Sequence, residues 1–427
     1  MKNTILIVLT LFFYHFANAQ RMIPAIAQQS RIVIQGGIIH IGNGQVIENG
    51  VIAFDKGKIT YVGALAGAPL ANATIIEANG KQIYPGLIAP VTNLGLNEIE
   101  LVRSTNDFAE VGTYNPGTRS LTTYNTDSRI IPTVRSNGIL IAQVAPQGGI
   151  ISGASSIMQL DGWNWEDAQY MADDGIHLNW PAFFQFKFED SRGSEKINED
   201  YEKQVQEIRS YFLQARGYSR QMERAERNLN FDALINVFDK RATLYIHANY
   251  IREIVNAIEF AKKMDVRMVL VGGRDSYLCT DLLKETNTAV ILGDVHSLPS
   301  GNDVKFNVPY ETAAMLQQKG ILYCLSIYGY WQQRNLPFLA GTTAANGLSK
   351  EDALKSITSN TAKILGIDSL TGTLETGKDA NIIISSGDVL DMRTNNIEHA
   401  FIQGRKINLD DSQKQLYEIY MNKYQLK

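Results

Sequence analysis

The chain has 427 residues, 44% of them hydrophobic and 20% charged, and a formal net charge of -4. This is globular composition with enough apolar material for a large core. No basic stripe runs along the chain, so a nucleic-acid-binding role has no support.

The first 19 residues read as a signal peptide outside the fold. Lys2 is a short positive region, 5–13 is an apolar run too short to span a bilayer, and Ala17-Asn18-Ala19 supplies the small residues a signal peptidase accepts. The expected mature start is Gln20, and the expected destination is secretion or the periplasm. The alternative is a buried N-terminal helix. No Cys follows the apolar run, which argues against a lipid anchor, and no other stretch reaches transmembrane length.

Short strands come next. Ile32-Val33-Ile34-Gln35 and Ile38-Ile39-His40 flank a break at Gly36-Gly37, and 50–63 reads as a hairpin turning at 55–58. Such short strands need a second layer of strands to bury them. The far end of the chain offers these, with 381–385 and 397–403 ahead of a turn at Gly404. A composite β-sandwich from 30–84 and 367–408 is the expectation, with a helical, surface-docked tail over 409–427.

Between these ends strands and helices alternate. Leu244-Tyr245-Ile246-His247 ends a strand and helix 251–263 follows it. Strands 267–271 and 289–292 and helices 310–319 and 350–365 continue the rhythm, which argues for a parallel sheet. No G-x-G-x-x-G follows a first strand, which weakens a dinucleotide-binding reading. The charged stretch 190–230 reads as a solvated helical insertion. Cys279 and Cys324 sit in apolar surroundings as buried thiols, with a disulfide as the alternative in an oxidising compartment.

Three segments carry a family resemblance. Pro85-Gly86-Leu87-Ile88-Ala89-Pro90-Val91-Thr92-Asn93-Leu94-Gly95 resembles the first barrel strand of the amidohydrolase superfamily. The run 353–366, with Ser359-Asn360-Thr361-Ala362, is similar to the family's last barrel helix. Gly377-Lys378-Asp379-Ala380-Asn381 is similar to the turn where the chain re-enters the sandwich. The nearest look is to imidazolonepropionase-like proteins of secreted bacterial type. The resemblance implies an α/β protein with a TIM-like (β/α)₈ barrel over 85–366, hydrolysing cyclic or non-peptide C–N bonds with a metal-activated water.

Carried over position by position, the resemblance implies a degraded metal site. The His-x-His of the first strand stands as Val91-Thr92-Asn93. His247 matches the fifth-strand histidine. Gly272-Gly273 occupies the sixth-strand position and Tyr328 the position of the eighth-strand aspartate. Lys187 is the candidate bridging lysine of strand four. Of the five implied histidine and aspartate positions, one, His247, is kept. No His lies in 248–295 and no Asp in 304–351, so a small shift of register rescues nothing. Catalytic zinc takes three protein ligands and an open position, and His247 alone does not supply them. A single divalent metal, zinc first, is the one cofactor implied.

Of the six histidines, His15 falls in the leader and His40 and His399 in the sandwich, leaving His177, His247 and His296 for the barrel. A rearranged site of His247, Asp294 and His296 is one reading, and structural histidines are the plainer one. Gly148-Gly149-Ile150-Ile151-Ser152 could cradle an anion, line the pocket mouth, or pack as a tight turn. Asp161-Gly162-Trp163-Asn164-Trp165 offers a substrate platform, a subunit interface, or a helix N-cap at Asn164. Arg334 could clamp a carboxylate or tie its loop. The pocket candidates are therefore Val91, Asn93, His247, Gly272, Asp294, His296, Tyr328 and Arg334. Three functions follow: a conventional amidohydrolase, a non-catalytic binding or partner subunit (a pseudoenzyme) pairing with an intact paralogue or with itself, and a metal-independent or mononuclear enzyme.

Overall fold

A computed structural model describes residues 23–189, 192–221, 226–293, 295–299 and 304–426. The expected signal peptide lies outside these residues.

Strands from both chain ends form one continuous sheet. Its order is Arg405–Lys406, Ile397–Ile402, Ile382–Ser385, Gln82–Pro85, Arg31–His40, Val46–Asp55, Lys58–Gly63, with Ala73–Glu77 also paired to the strand Arg31–His40. The ends meet where Gln82–Pro85 pairs antiparallel with Ile382–Ser385. Phe54 and Phe401, both fully buried, pack edge to face with centroids 5.0 Å apart in its core. The expected hairpin turn is present: Asp55 faces Lys58, and Lys56 and Gly57 both take positive φ, 49° and 78°. Two consecutive left-handed residues match the twist of the flanking strands. The expected break at Gly36-Gly37 is a β-bulge, and Gly36 has φ 80° with the Asn79 side chain where a Cβ would stand.

The second eight-stranded sheet is the nearly closed barrel. Its strands are hydrogen-bonded in chain order: Leu87–Thr92, Ile139–Val144, Ile151–Gln159, Gln169–Asn179, Thr243–Ala248, Met268–Gly272, Ala289–Leu292 and Tyr323–Leu325. Alternation along the strands sorts the side chains. Tyr245, Val269, Val271, Ile291 and Cys324 join an interior cluster, while Leu244, Ile246, Leu270 and Val290 pack outward in the main core. Cys279 and Cys324 are both buried free thiols.

The expectation of a regular β/α repeat is corrected at the third strand. Ile151–Gln159 runs antiparallel to both neighbours, and no helix separates it from the second strand. Gly148 and Gly149, at φ 87° and 63°, let the chain reverse there, which a crossover helix would otherwise have to do.

The first and eighth strands do not pair directly. The gap is bridged by the chain at 356–357: the Ile88 amide donates to the Ile357 carbonyl (2.9 Å) and the Leu325 amide to the Ser356 carbonyl (3.0 Å). Ser326 Oγ adds a bond to the Pro90 carbonyl at 3.0 Å. This bridge is why the expected single helix over 350–365 is two, Lys350–Lys355 and Ser359–Leu365.

Two further expectations are adjusted. The charged stretch is not merely a solvated insertion. Its 19-residue helix Tyr201–Ser219 buries Tyr201, Val205, Ile208, Phe212, Ala215 and Tyr218, a stripe at helical spacing. The tail forms helix Ser412–Tyr424, anchored at its start: the Asp411 side chain caps the Gln413 and Lys414 amides and also accepts from Ser136 Oγ (3.0 Å). None of its residues is buried. No described helix is long and apolar enough to cross a membrane.

Candidate functional site

A cavity of about 190 Å³ opens at the C-terminal ends of the barrel strands, the end where barrel folds carry their sites. Val91 comes from the first strand, His247 from the fifth, Val271 and Gly272 from the sixth and Ile291 from the seventh. Ser326 and Tyr328 follow the eighth strand, and Asn179 ends the fourth. Pro146, Gln147 and Gly148 wall it from the loop between the second and third strands, and Ser152 from the start of the third.

The glycine loop is bound up in its own contacts. The Ile150 and Ile151 amides donate to the Thr113 carbonyl at 2.7 and 3.0 Å, and Asn179 Nδ2 donates to the Gly149 carbonyl and to Ser152 Oγ. It lines the pocket mouth and does not present those amides to an anion.

His247 faces a second imidazole. Its Nε2 lies 2.9 Å from Nδ1 of His177, which comes from the fourth strand and is fully buried. His177 stacks on Tyr245 at 4.8 Å, and its own Nε2 finds no hydrogen-bond partner among the described residues. Burial pushes His247 down to about 4, and burial together with the neighbouring His247 pushes His177 well below the ordinary imidazole range. Both rings are therefore neutral at pH 7. One must donate and the other accept, so Nδ1 of His247 becomes a donor when its Nε2 accepts and an acceptor when its Nε2 donates.

A polar network supports this pair. Asp174 Oδ2 accepts from Gln143 Nε2 (2.6 Å) and from the Tyr245 hydroxyl (2.8 Å), while Gln143 Oε1 takes the Val91 amide at 3.2 Å. Burial raises the Asp174 carboxyl to about 6 against the pull of those donors. Val91 has φ 51°, an outlier for a β-branched residue, at a register shift of the first strand.

Four sequence candidates thus line one cavity: Val91, His247, Gly272 and Tyr328. The others do not join them. Asn93 is buried outside the cavity lining, its Oδ1 without a partner among the described residues. His296 is exposed and bonded through Nε2 to Thr342 Oγ1 at 2.7 Å. Arg334 donates to the Trp331 carbonyl (2.6 Å) and lies over the Trp331 ring, so it ties its loop. Asp294 lies outside the described residues. Lys187 belongs to a two-stranded ribbon, Phe184–Glu189 with Arg192–Ile197, outside the barrel sheet, because the fourth barrel strand is Gln169–Asn179. Asn164 caps the short helix Trp165–Ala168, the plain reading of that segment. His177, Asn179, Asp174 and Tyr245 were missed as site residues. The signal available was His177 flanked by Ile176 and Leu178, a polar residue between two apolar ones near the end of a strand. Among the described residues no three His, Cys, Asp or Glu side chains are gathered to hold a metal.

Comparison with known proteins bears on this geometry. Residues 324–407 match the amidohydrolase family. A 61-residue stretch is 43% identical to a 5-methylthioadenosine/S-adenosylhomocysteine deaminase of Symbiobacterium thermophilum, spanning 14% of each protein. An amidohydrolase structure from Thermotoga maritima superposes with a TM-score of 0.75 at 22% identity, covering 88% of this chain and 99% of that one. A putative prolidase from Bifidobacterium longum does so with 0.55 at 13% identity, covering 92% and 100%. The last barrel strand and the re-entry into the terminal sheet thus match the amidohydrolase family, and the chain as a whole shares its fold with amidohydrolase structures.

Proposed function

We propose that this protein is a binding member of the superfamily, taking a small, uncharged, hydrogen-bonding group into the barrel pocket without a metal and without hydrolysing it. The observation that carries this is the His177–His247 pair. The one retained ligand-type residue spends a ring nitrogen on a second imidazole at 2.9 Å, and the described cavity lining holds no carboxylate and no further imidazole. Catalytic zinc takes three protein ligands, so the described donors do not fit it. The relatives' names, an amidohydrolase and a deaminase, speak for hydrolysis of C–N bonds, but a shared fold does not carry chemistry with it.

A partner-subunit role has its own observation. Loops leaving the first and seventh strands at the pocket face expose Leu101, Val111, Leu298 and Phe306, each more than three-quarters exposed. A paralogue or a second copy would cover them. Secretion or periplasmic residence after cleavage near Ala19 belongs to the same proposal, as does the division into a terminal sandwich and a central barrel.

Elemental analysis of the purified mature protein, dialysed and then refilled with zinc or manganese, tests the reading. Metal at background is the expected result. About one equivalent that disappears in His247→Ala would overturn it and restore metal-assisted hydrolysis.

A further inference from the structure

The polarity of the barrel cavity is set by backbone carbonyls, which only accept. Ser152 Oγ donates to the Gly148 carbonyl at 2.8 Å and Ser326 Oγ to the Pro90 carbonyl at 3.0 Å, so each hydroxyl has spent its one hydrogen. Asn179 Nδ2 donates to the Gly149 carbonyl at 2.9 Å and to Ser152 Oγ at 3.0 Å, which uses both of its hydrogens. The bond to the Gly149 carbonyl also fixes which amide atom is the nitrogen. Asn179 Oδ1 is the end left over, without a partner among the described residues.

Four backbone donors of the lining are spent in the same way. The Val91 amide donates to Gln143 Oε1, and the Gln147, Gly293 and Ser326 amides donate to the Phe108, Gly272 and Leu292 carbonyls. Ser152, Asn179 and Ser326 therefore line the cavity with acceptor lone pairs alone. Gln147 carries both a donor and an acceptor, and His247 gives one or the other by tautomer, so neither offsets them. Tyr328 is 60% exposed. The rest of the wall is apolar, with Val91, Pro146, Val271 and Ile291, and no described lining residue is charged, so a cation would be costly to bury there. The volume of about 190 Å³ compares with about 150 Å³ for a cavity that takes benzene, so one ring with a short substituent fills it. Three acceptors suit the two hydrogens of an NH2 group better than the single hydrogen of a hydroxyl.

We infer that the ligand is an uncharged, single-ring molecule bearing an NH2 group, which it donates to Ser152, Asn179 and Ser326. This rests on the binding reading above and adds the ligand's size and hydrogen-bonding polarity. An acceptor-only molecule of the same shape leaves those three oxygens desolvated and unpaired, and binds more weakly.

Benzamide, acetophenone and benzamidinium share one shape. Acetophenone has a methyl where benzamide has its NH2, and benzamidinium carries a positive charge. Each is titrated into the protein while the His247 ring proton, assigned by its loss in His247→Gln, is followed by NMR. Benzamide is expected to move that signal at about tenfold lower concentration than acetophenone, the effect of roughly two ordinary hydrogen bonds. Benzamidinium, richer in donors but charged, should trail benzamide by a similar factor. Asn179→Asp keeps an acceptor and gives the cavity a negative charge, which should put benzamidinium ahead of benzamide. Ser326→Ala should shrink benzamide's lead and leave acetophenone's titration where it was. If either variant melts lower than the unaltered protein, the ranking in the unaltered protein decides alone. Acetophenone as effective as benzamide there, or benzamidinium more effective, overturns the assignment while the pocket reading stands. If none of the three moves the His247 signal, both readings fall.

Discussion

Two neutral imidazoles 2.9 Å apart share a single hydrogen, and protonating either one places a charge inside the barrel. His247 has its folded value near 4 against an unfolded value near 6.5, so the unfolded chain takes up a proton that the folded chain refuses. The stability this provides is complete above pH 6.5 and is lost as pH falls toward 4, by at most about 3 kcal/mol. Asp174 works in the opposite direction. Its folded value near 6 exceeds the unfolded 3.8, so its contribution is full below pH 4 and lost as pH rises through 6. Asp174→Asn should therefore raise the melting temperature at pH 8 and leave the acid-side loss in place; a melting temperature at pH 8 no higher than that of the unaltered protein would refute the assignment. His247 was legible from the resemblance alone. His177 was not, because Phe184-Gln185-Phe186-Lys187 alternates as a strand should, and periodicity cannot tell a barrel strand from a surface ribbon.

At the scale of elements, the barrel's departures from regularity sit where the backbone is special. Gly148-Gly149 was read as a loop, and its consequence, a reversed third strand, depends on pairings that no local pattern encodes. The break at 356–358 has a local signal in the run Ser356-Ile357-Thr358-Ser359-Asn360-Thr361, whose residue types favour caps over helix interiors, but its cause is long-range: Ser356 and Ile357 supply carbonyls to two strands that would otherwise face each other unpaired. The terminal helix Ser412–Tyr424 shows the converse, an element read correctly whose attachment is slight. Asp411→Ala removes its cap and the bond from Ser136 together. A loss of about 1 kcal/mol is expected, local to the tail. Hydrogen exchange should quicken across 412–424 while the barrel strands stay protected; protection of the tail unchanged from the unaltered protein would contradict this.

For the whole molecule, Asp161 is the joint. It accepts from Arg135 of the barrel (2.8 Å), from Arg405 of the last sheet strand (2.8 Å) and from the Ala25 amide of the entering chain (3.0 Å), and the carboxylate is almost wholly buried. Asp161→Ala would leave two guanidiniums shielded without a counter-ion, at a cost of about 3–5 kcal/mol, read as a lower urea midpoint at unchanged slope. A change below about 1 kcal/mol would show that solvent already reaches the pair. The plan by which both chain ends give strands to one sheet was legible because each end carries strands too few to bury themselves. That plan has a consequence for synthesis. The strand Gln82–Pro85 is made early, yet its antiparallel partner Ile382–Ser385 comes after the whole barrel, so an open strand edge must wait for almost the entire chain to be produced. Long-range pairing of this kind makes folding slow and keeps the nascent chain vulnerable to edge-to-edge aggregation. A ribosome that stalls short of residue 382 would release a sticky fragment rather than a smaller working protein.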